Sequence, residues 1–220
     1  MSSVSQNLID IHETINKTAT KWGRSDKDVQ LIAVSKQQPG ERIEAALNAG
    51  HECFGENRVQ EAQERWGHTR ALYSNLDLHL IGPLQTNKAA AAVELFDCIH
   101  TVDREKLAKI FAKVMKKQNR HLPCFIQINT GNEDQKAGIA VKDLPNFLDF
   151  CREECNLNIV GLMTIPPIDD PAALHFALLK KLAKRHSLAN LSMGMSGDYE
   201  KAIALGATHI RIGTGVFGAR

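Results

Sequence analysis

Short apolar runs alternate with longer amphipathic stretches from one end of this chain to the other, a pattern that calls for a parallel sheet joined by helical crossovers. After a first helix over Val4–Trp22, the candidate strands are Leu31–Ser35, Glu52–Gly55, Leu78–Gly82, Cys98–Val102, Pro123–Asn129, Ile159–Thr164, Asn190–Met193 and Thr208–Gly213. Between them the apolar residues fall at helical spacing. Ile43, Ala46 and Leu47 stand at i, i+3, i+4, and Leu107, Ile110, Phe111 and Val114 at i, i+3, i+4, i+7. Asp170 before Pro171 reads as an N-cap followed by a first-turn proline. Gly50 and Gly206 read as helix stops.

The strands are apolar runs rather than alternating ones, as expected where both faces of a sheet are covered. Eight strand–helix repeats over this length predict an α/β fold, a single (β/α)8 barrel. One domain is expected over residues 1–220, with an extra N-terminal helix within 1–24 packed on the barrel. A doubly wound open sheet would need fewer strands and usually a glycine fingerprint at its first turn. Here the first strand runs into Ser35-Lys36-Gln37-Gln38-Pro39 instead. Arg220 falls a few residues past the last strand, so no domain is expected to follow.

Composition excludes several function classes. Hydrophobic residues make up 43% and charged residues 24%, a soluble balance. With Lys+Arg at 27 and Asp+Glu at 25, the net charge of +2 is too even for a nucleic-acid binder, and it suits a monomer. The densest basic cluster, Lys116-Lys117-Gln118-Asn119-Arg120-His121, reads as a solvated helix end. No apolar run approaches membrane-spanning length, and the N-terminus lacks the basic start and apolar centre of a secretory signal. The cysteines, Cys53, Cys98, Cys124, Cys151 and Cys155, are odd in number and scattered. They form no CxxC pair and have no histidine at zinc spacing. Neither a disulfide framework nor a metal site is expected, and a reducing cytoplasm is. Cys53, Cys98 and Cys124 lie in apolar runs as small core residues.

In a barrel the chemistry belongs at the carboxyl ends of the strands. Lys36 closes the first strand there. A partly desolvated lysine amine becomes nucleophilic, as Schiff-base chemistry needs; the alternative is an ammonium that snorkels out of the barrel mouth. After the last strand, Gly213-Thr214-Gly215 can turn backbone N–H groups inward around an anion, or can simply be a tight turn. Ser196 and the amides around Gly197 open a helix in the preceding loop, where an anion is favoured. Asp198 reads as that helix's cap, and Met193 and Met195 as core filler. By strand alternation Arg211 shares a face with His209. Facing inward it would meet a phosphate or an unprotonated pyridine nitrogen; it could instead pair with Glu52 or Glu56. Asn57, Gln85 and Asn87 could hydrogen-bond a ligand, Glu56 and Asn57 could equally cap a helix, and His79 is more simply a satisfied structural histidine.

A strand-1 lysine, a strand-8 arginine and a glycine/serine anion cup together describe a pyridoxal 5′-phosphate (PLP) site. The chain resembles the pyridoxal phosphate homeostasis protein family, whose fold is similar to the N-terminal barrel of alanine racemase. The matching stretches are AVSK at 33–36, FGEN at 54–57, HLIGPLQTNK at 79–88, the spaced Asn129, Glu133, Lys136 and Gly138, GLM at 161–163, LSMGMS at 191–196 and RIGTGVFGAR at 211–220. The resemblance implies that Lys36 carries the cofactor as an internal aldimine. It implies that Ser196, Gly213 and Thr214 hold the phosphate, that Arg211 faces the pyridine nitrogen, and that Asn57 lies near the ring. One departure is Arg58, where the family often has a tyrosine after GEN.

Family members are regarded as carriers or buffers of PLP that maintain its supply inside the cell, with PLP-dependent apo-enzymes as recipients. A racemase of this fold needs acid/base groups on both faces of its cofactor, one from a second domain that this chain is not expected to have. Tyr73 and Tyr199, its only tyrosines, are not placed as second bases. A guanidinium at the pyridine nitrogen also disfavours the protonated ring that makes the better electron sink. The expectation is therefore a PLP-binding homeostasis protein rather than an enzyme. The alternatives are a PLP-dependent racemase and a cofactor-free barrel that uses Lys36 for aldol chemistry on a sugar phosphate.

Overall fold

A computed structural model describes residues 3–133 and 135–219. Met1, Ser2, Asp134 and Arg220 lie outside the described residues, and with them the two ends of the expected 1–220 domain and the final arginine of the 211–220 motif. The strands are β1 (Gln30–Val34), β2 (Cys53–Glu56), β3 (Asp77–Leu80), β4 (Cys98–Val102), β5 (Cys124–Asn129), β6 (Ile139–Ala140), β7 (Ile159–Met163), β8 (Asn190–Ser192) and β9 (His209–Ile212). The helices are α1 (Val4–Lys21), α2 (Gly40–Asn48), α3 (Val59–Trp66), α4 (Ala89–Leu95), α5 (Glu105–Gln118), α6 (Leu144–Asp149), α7 (Ala172–Arg185), α8 (Tyr199–Ala204) and α9 (Thr214–Phe217).

The sheet runs β4-β3-β2-β1-β9-β8-β7-β5, and β4 pairs again with β5, so the ring closes on eight parallel strands. Every expected strand is present within a residue or two of its expected bounds. The two-residue β6 is an addition. It pairs only with β5, through Ile128↔Ile139 and Asn129↔Ala140, and is too short to leave a pattern in sequence. Gly50 and Gly206 stop their helices with φ of +81° and +103°, backbone that a Cβ would strain. Among the described residues no helix is long and apolar enough to cross a membrane.

Two cap assignments change. Pro171, not Asp170, occupies the N-cap position of α7, and no side chain caps that helix. Asp170 therefore stands one residue too early to reach the helix amides, and it faces His175 Nε2 at 3.4 Å instead. Asp198 does sit at the N-cap of α8. Its carboxylate, however, accepts the Met195 N–H at 2.6 Å, bracing the loop rather than the helix.

The core lies between the ring and its helices. Alternate strand residues such as Ala33, Phe54, Leu78, Ile99, Ile126 and Ile210 pack outward against helix faces. Helix α1 contributes Leu8, Ile11, Ile15 and Ala19, spaced three and four apart, and packs against α2, α8 and α9. The inner face differs from the uniform apolar runs expected. Cys98, Phe125 and Met163 form a small apolar cluster of their own there. Around it His100 on β4 lies 2.8 Å from the Ser192 hydroxyl on β8. Strands β4 and β8 are not neighbours in the ring, so this contact crosses the barrel interior. Asp77-Leu78-His79, Ile99-His100 and His209-Ile210-Arg211 thus place polar residues inside and apolar ones outside. A closed ring allows this because inward polar groups can satisfy one another. All five cysteines are buried and unpaired.

Candidate functional site

At the carboxyl ends of the strands a cleft of about 340 Å³ is lined by Lys36, Asn57, Ser196, Arg211, Gly213 and Thr214. The fold thus brings together the six residues singled out in sequence, drawn from the carboxyl ends of four strands, β1, β2, β8 and β9. Val34, Ile81, Ile165, Met195 and Gly197 complete the wall. Met193 is fully buried, as a core residue should be, but Met195 is 38% exposed and faces the cleft. Volume alone does not select this site. A recess of about 640 Å³ beside it, lined in part by Arg58, Gln85, Lys88 and Arg104, shares only Asn57 with it. The donor set, with a primary amine, a guanidinium and a hydroxyl-and-amide cup in one small space, sets the cleft apart.

Lys36 is half-buried in the turn that ends β1. Its neighbours pin the turn. The Ser35 hydroxyl donates to Glu56 Oε1 at 2.7 Å and the Gln37 N–H donates to Glu61. Arg65 ties the two carboxylates together at 2.6 and 3.3 Å, and Trp66 Nε1 donates to Glu56 at 3.1 Å. Glu56 is thereby committed to the frame beneath the lysine. Burial pushes its carboxyl up, against the pull of these partners.

Arg211 is 4% exposed. Its Nη1 donates to the Ser192 hydroxyl at 2.6 Å and its Nη2 to the Thr164 carbonyl at 2.9 Å. Glu52, the other carboxylate considered for it, accepts from Asn75 at 3.0 Å. Burial lowers the guanidinium to about 10, and Asp198 opposes that fall; it remains a cation at neutral pH.

The cup is built by two turns held together. The Ser196 hydroxyl oxygen accepts the Gly215 N–H at 3.2 Å, joining the loop after β8 to the start of α9. A hydroxyl that accepts still has its own proton to give. The glycines leave the cup open: a Cβ on Gly197 would meet nothing within 4 Å, and one on Gly213 nothing nearer than 3.6 Å. Hydroxyls and amides of this kind beside a buried cation suit a small dianion. A primary amine within the same cleft suits a carbonyl carbon. The residues present therefore fit a phosphorylated aldehyde.

Gly82 is needed for a different reason. A Cβ there would lie 2.4 Å from the Asn57 carbonyl oxygen and 2.6 Å from its Cα. Backbone must then shift, and Asn57 with it. Gly82→Ala is expected to cost about 1–3 kcal/mol in urea unfolding; a variant as stable as the parent would show that Asn57 has room to move.

Sequence reasoning missed the residues that hold Arg211, namely Ser192 and Thr164. It also missed the polar layer beneath them, where His79 Nδ1 and His100 Nε2 lie 2.9 Å apart. Ligand atoms of His79, Cys98 and His100, and of Cys53, Asp77 and His79, also come within 4.8 Å of one another. No linear spacing shows this, because the donors come from three adjacent strands. The available signal was a polar residue at every second position inside strands otherwise apolar. Tyr73 and Tyr199 are not among the lining residues.

Known proteins share this fold and much of this sequence. The family described as "Alanine racemase, N-terminal domain" matches residues 8–220. A pyridoxal phosphate homeostasis protein from Vibrio cholerae is 40% identical over 230 residues, covering 100% of this chain and 98% of its own. The Escherichia coli protein of that name is 37% identical over 229 residues, with the same coverage. Among solved structures, PipY of Synechococcus elongatus without PLP superposes with a TM-score of 0.86 at 35% identity, covering 98% of this chain and 100% of its own. PipY with PLP bound gives 0.79 at 38% identity, covering 93% and 100%. Alanine racemase of Clostridium difficile, at 13% identity and a TM-score of 0.74, shares the fold over 57% of its length. By full-length identity to these relatives and by the barrel it shares with them, this chain belongs to the pyridoxal phosphate homeostasis protein family.

Proposed function

We propose that this chain binds pyridoxal 5′-phosphate in the cleft at Lys36 and serves to carry and buffer it, with no strong reaction of its own. The observation that supports binding is the convergence of Lys36, Arg211 and the Ser196–Gly213–Thr214 cup on one cleft of about 340 Å³. When bound, the cofactor supplies an aldehyde that condenses reversibly with a primary amine, and a phosphate dianion as its anchor. Lys36 provides the amine, held in place by the Glu56–Arg65–Glu61 frame. Ser196, Thr214 and the amides of Gly197 and Gly213 take the phosphate. Asn57 and Ile81 border the space left for the ring.

The carrier reading rests on what faces that space. Lys36 and Arg211 are the ionisable residues among those lining the cleft. A racemising site needs a second acid/base group opposite its lysine, and among the described residues none of those lining the cleft supplies one. A guanidinium toward the ring nitrogen repels the extra proton that would strengthen the electron sink. Masking of a reactive aldehyde on Lys36, with later release to PLP-dependent apo-enzymes, needs neither group. The five buried, unpaired thiols accord with a reducing cytoplasm.

Borohydride reduction of the PLP-treated protein, followed by peptide mapping, tests the proposal. The expected result is one stable adduct on the peptide carrying Lys36, with no saturable turnover of any amino acid. A colourless protein without an adduct would overturn binding. Saturable racemisation would replace the carrier with an enzyme.

A further inference from the structure

Arg211 carries a positive charge into the barrel, and no carboxylate touches it in any ion pair among the described residues. The guanidinium nevertheless connects to one. From Arg211 Nη1 the contacts run to Ser192 Oγ (2.6 Å), to His100 Nδ1 (2.8 Å), from His100 Nε2 to His79 Nδ1 (2.9 Å), and from His79 Nε2 to Asp77 Oδ2 (3.0 Å). His79, His100 and Ser192 are buried at 3%, 0% and 0% exposure. Asp77 begins β3 at the amino end of the barrel, away from the cleft, and also accepts from Gln30 Nε2 at 2.8 Å.

The two ends of this chain of contacts dictate its middle. A guanidinium has only donors and a carboxylate only acceptors. With both histidines neutral, every group between them accepts on the arginine side and donates on the aspartate side. Ser192 therefore accepts from Arg211 and gives its one proton to His100 Nδ1. His100 must then be neutral with its proton on Nε2, which it donates to His79 Nδ1. His79 in this pattern carries its proton on Nε2 and donates it to Asp77. With both histidines neutral, reversing a link would set two donors or two acceptors face to face; the other complete pattern is a cationic His79 donating from both nitrogens, with His100 protonated on Nδ1 and Ser192 accepting twice. In the neutral pattern all the bond dipoles point one way, so the aspartate's charge is relayed to the arginine through polarised groups rather than by contact.

We propose that Asp77, His79, His100 and Ser192 form a one-way hydrogen-bond relay through the barrel that positions Arg211 and adds a countercharge from the opposite end. The cleft thereby keeps a fixed cation in its wall with no carboxylate in contact with it, although the field of Asp198 also reaches it. The relay itself stands apart from the identity of the ligand; its effect on a bound ring rests on the PLP reading. The four residues are positioning residues, since none of them lines the cleft.

Long-range 1H–15N correlation spectra of the ligand-free chain at neutral pH test it directly. His79 and His100 are both expected as single neutral forms protonated on Nε2. Asp77→Asn is nearly isosteric, and a thermal melt checks that it folds. Its amide can donate as well as accept, so the direction is no longer forced and His79 should lose its single form. Asp77→Glu, which restores an acceptor-only end, should recover it. Either histidine protonated on Nδ1 in the parent, or an unchanged single form in Asp77→Asn, would overturn the relay. So would stoichiometric zinc bound in place of the proton shared by His79 and His100. In the PLP-loaded protein, the visible band should move in Asp77→Asn and return in Asp77→Glu; a band that stays fixed while the tautomers change would overturn the positioning of Arg211. A colourless parent with both forced tautomers would instead sink the PLP reading and leave the relay standing.

Discussion

Lys36→Ala protein mixed with pyridoxal 5′-phosphate should stay colourless, while the parent turns yellow. The phosphate cup remains in this variant, because Ser196, Gly213 and Thr214 come from the two turns after β8 and β9 rather than from the turn that carries the lysine. Cofactor should still enter and leave, but without the covalent link. Its apparent Kd is expected to rise by at least about a hundredfold, equivalent to about 2.7 kcal/mol. Lys36→Arg separates the two contributions of the side chain. It keeps a cation beside the cup yet has no amine able to condense, so it should bind more tightly than Lys36→Ala and be equally colourless. Neither variant should unfold the protein, since the turn is pinned by the residues flanking Lys36, through Ser35 to Glu56 and Gln37 to Glu61. Equilibrium dialysis and absorbance measure both quantities. A visible band of parental strength in Lys36→Ala would place the link on another amine.

Much of this site could be read from residues that interrupt a pattern. Lys36 stands out because it ends an apolar strand, and the Gly213-Thr214-Gly215 and Ser196-Gly197 turns because glycine and serine follow strands at the end of a barrel where ligands bind. The strand–helix alternation carried the fold, because each strand had to bury its outer face under a helix. The polar interior was harder to see. His79, His100 and His209 look, one at a time, like isolated polar residues in apolar strands, and only ring closure brings β3, β4, β8 and β9 around one axis. Likewise Ser192 and Thr164 have no local reason to be chosen. Their role exists only through Arg211, which β9 delivers beside them. The two displaced caps, at Asp170 and Asp198, turn on a shift of one residue and on a competing loop amide. Sequence pattern does not resolve either one.

Two largely buried histidines, His209 in the barrel and His51 outside the ring, should also make the protein acid-sensitive well before its carboxylates titrate. Burial, with the charge of Arg211 adding to it and that of Asp77 opposing, lowers His209 to about 3. Burial lowers His51 to about 4, with the Cys53 carbonyl opposing. His100, wholly buried, lies well below its ordinary value for the same first reason. An unfolded chain has no such burial, and its histidines titrate near 6.5. Below that pH the unfolded state binds protons that the folded state refuses, so stability present above pH 6.5 is lost as pH falls toward the folded values. Between pH 7.5 and pH 5 each such histidine forfeits about 2 kcal/mol, at 1.36 kcal/mol per unit over about 1.5 units. His51 and His209 together then remove about 4 kcal/mol, a large share of the 5–15 kcal/mol typical of a folded domain. The melting temperature should drop by roughly 10 °C over that range. Glu56 and Asp103, raised first by burial, act in the opposite sense nearer the carboxylate range, which is why the measurement stops at pH 5. Replacing His209 with the non-titrating Phe isolates one contribution: that variant should lose about 2 kcal/mol less than the parent on going from pH 7.5 to pH 5. Urea unfolding at the two pH values measures both. Equal parental stability at pH 7.5 and pH 5 would mean that His51 and His209 take up protons without cost, and that both sites are open to water.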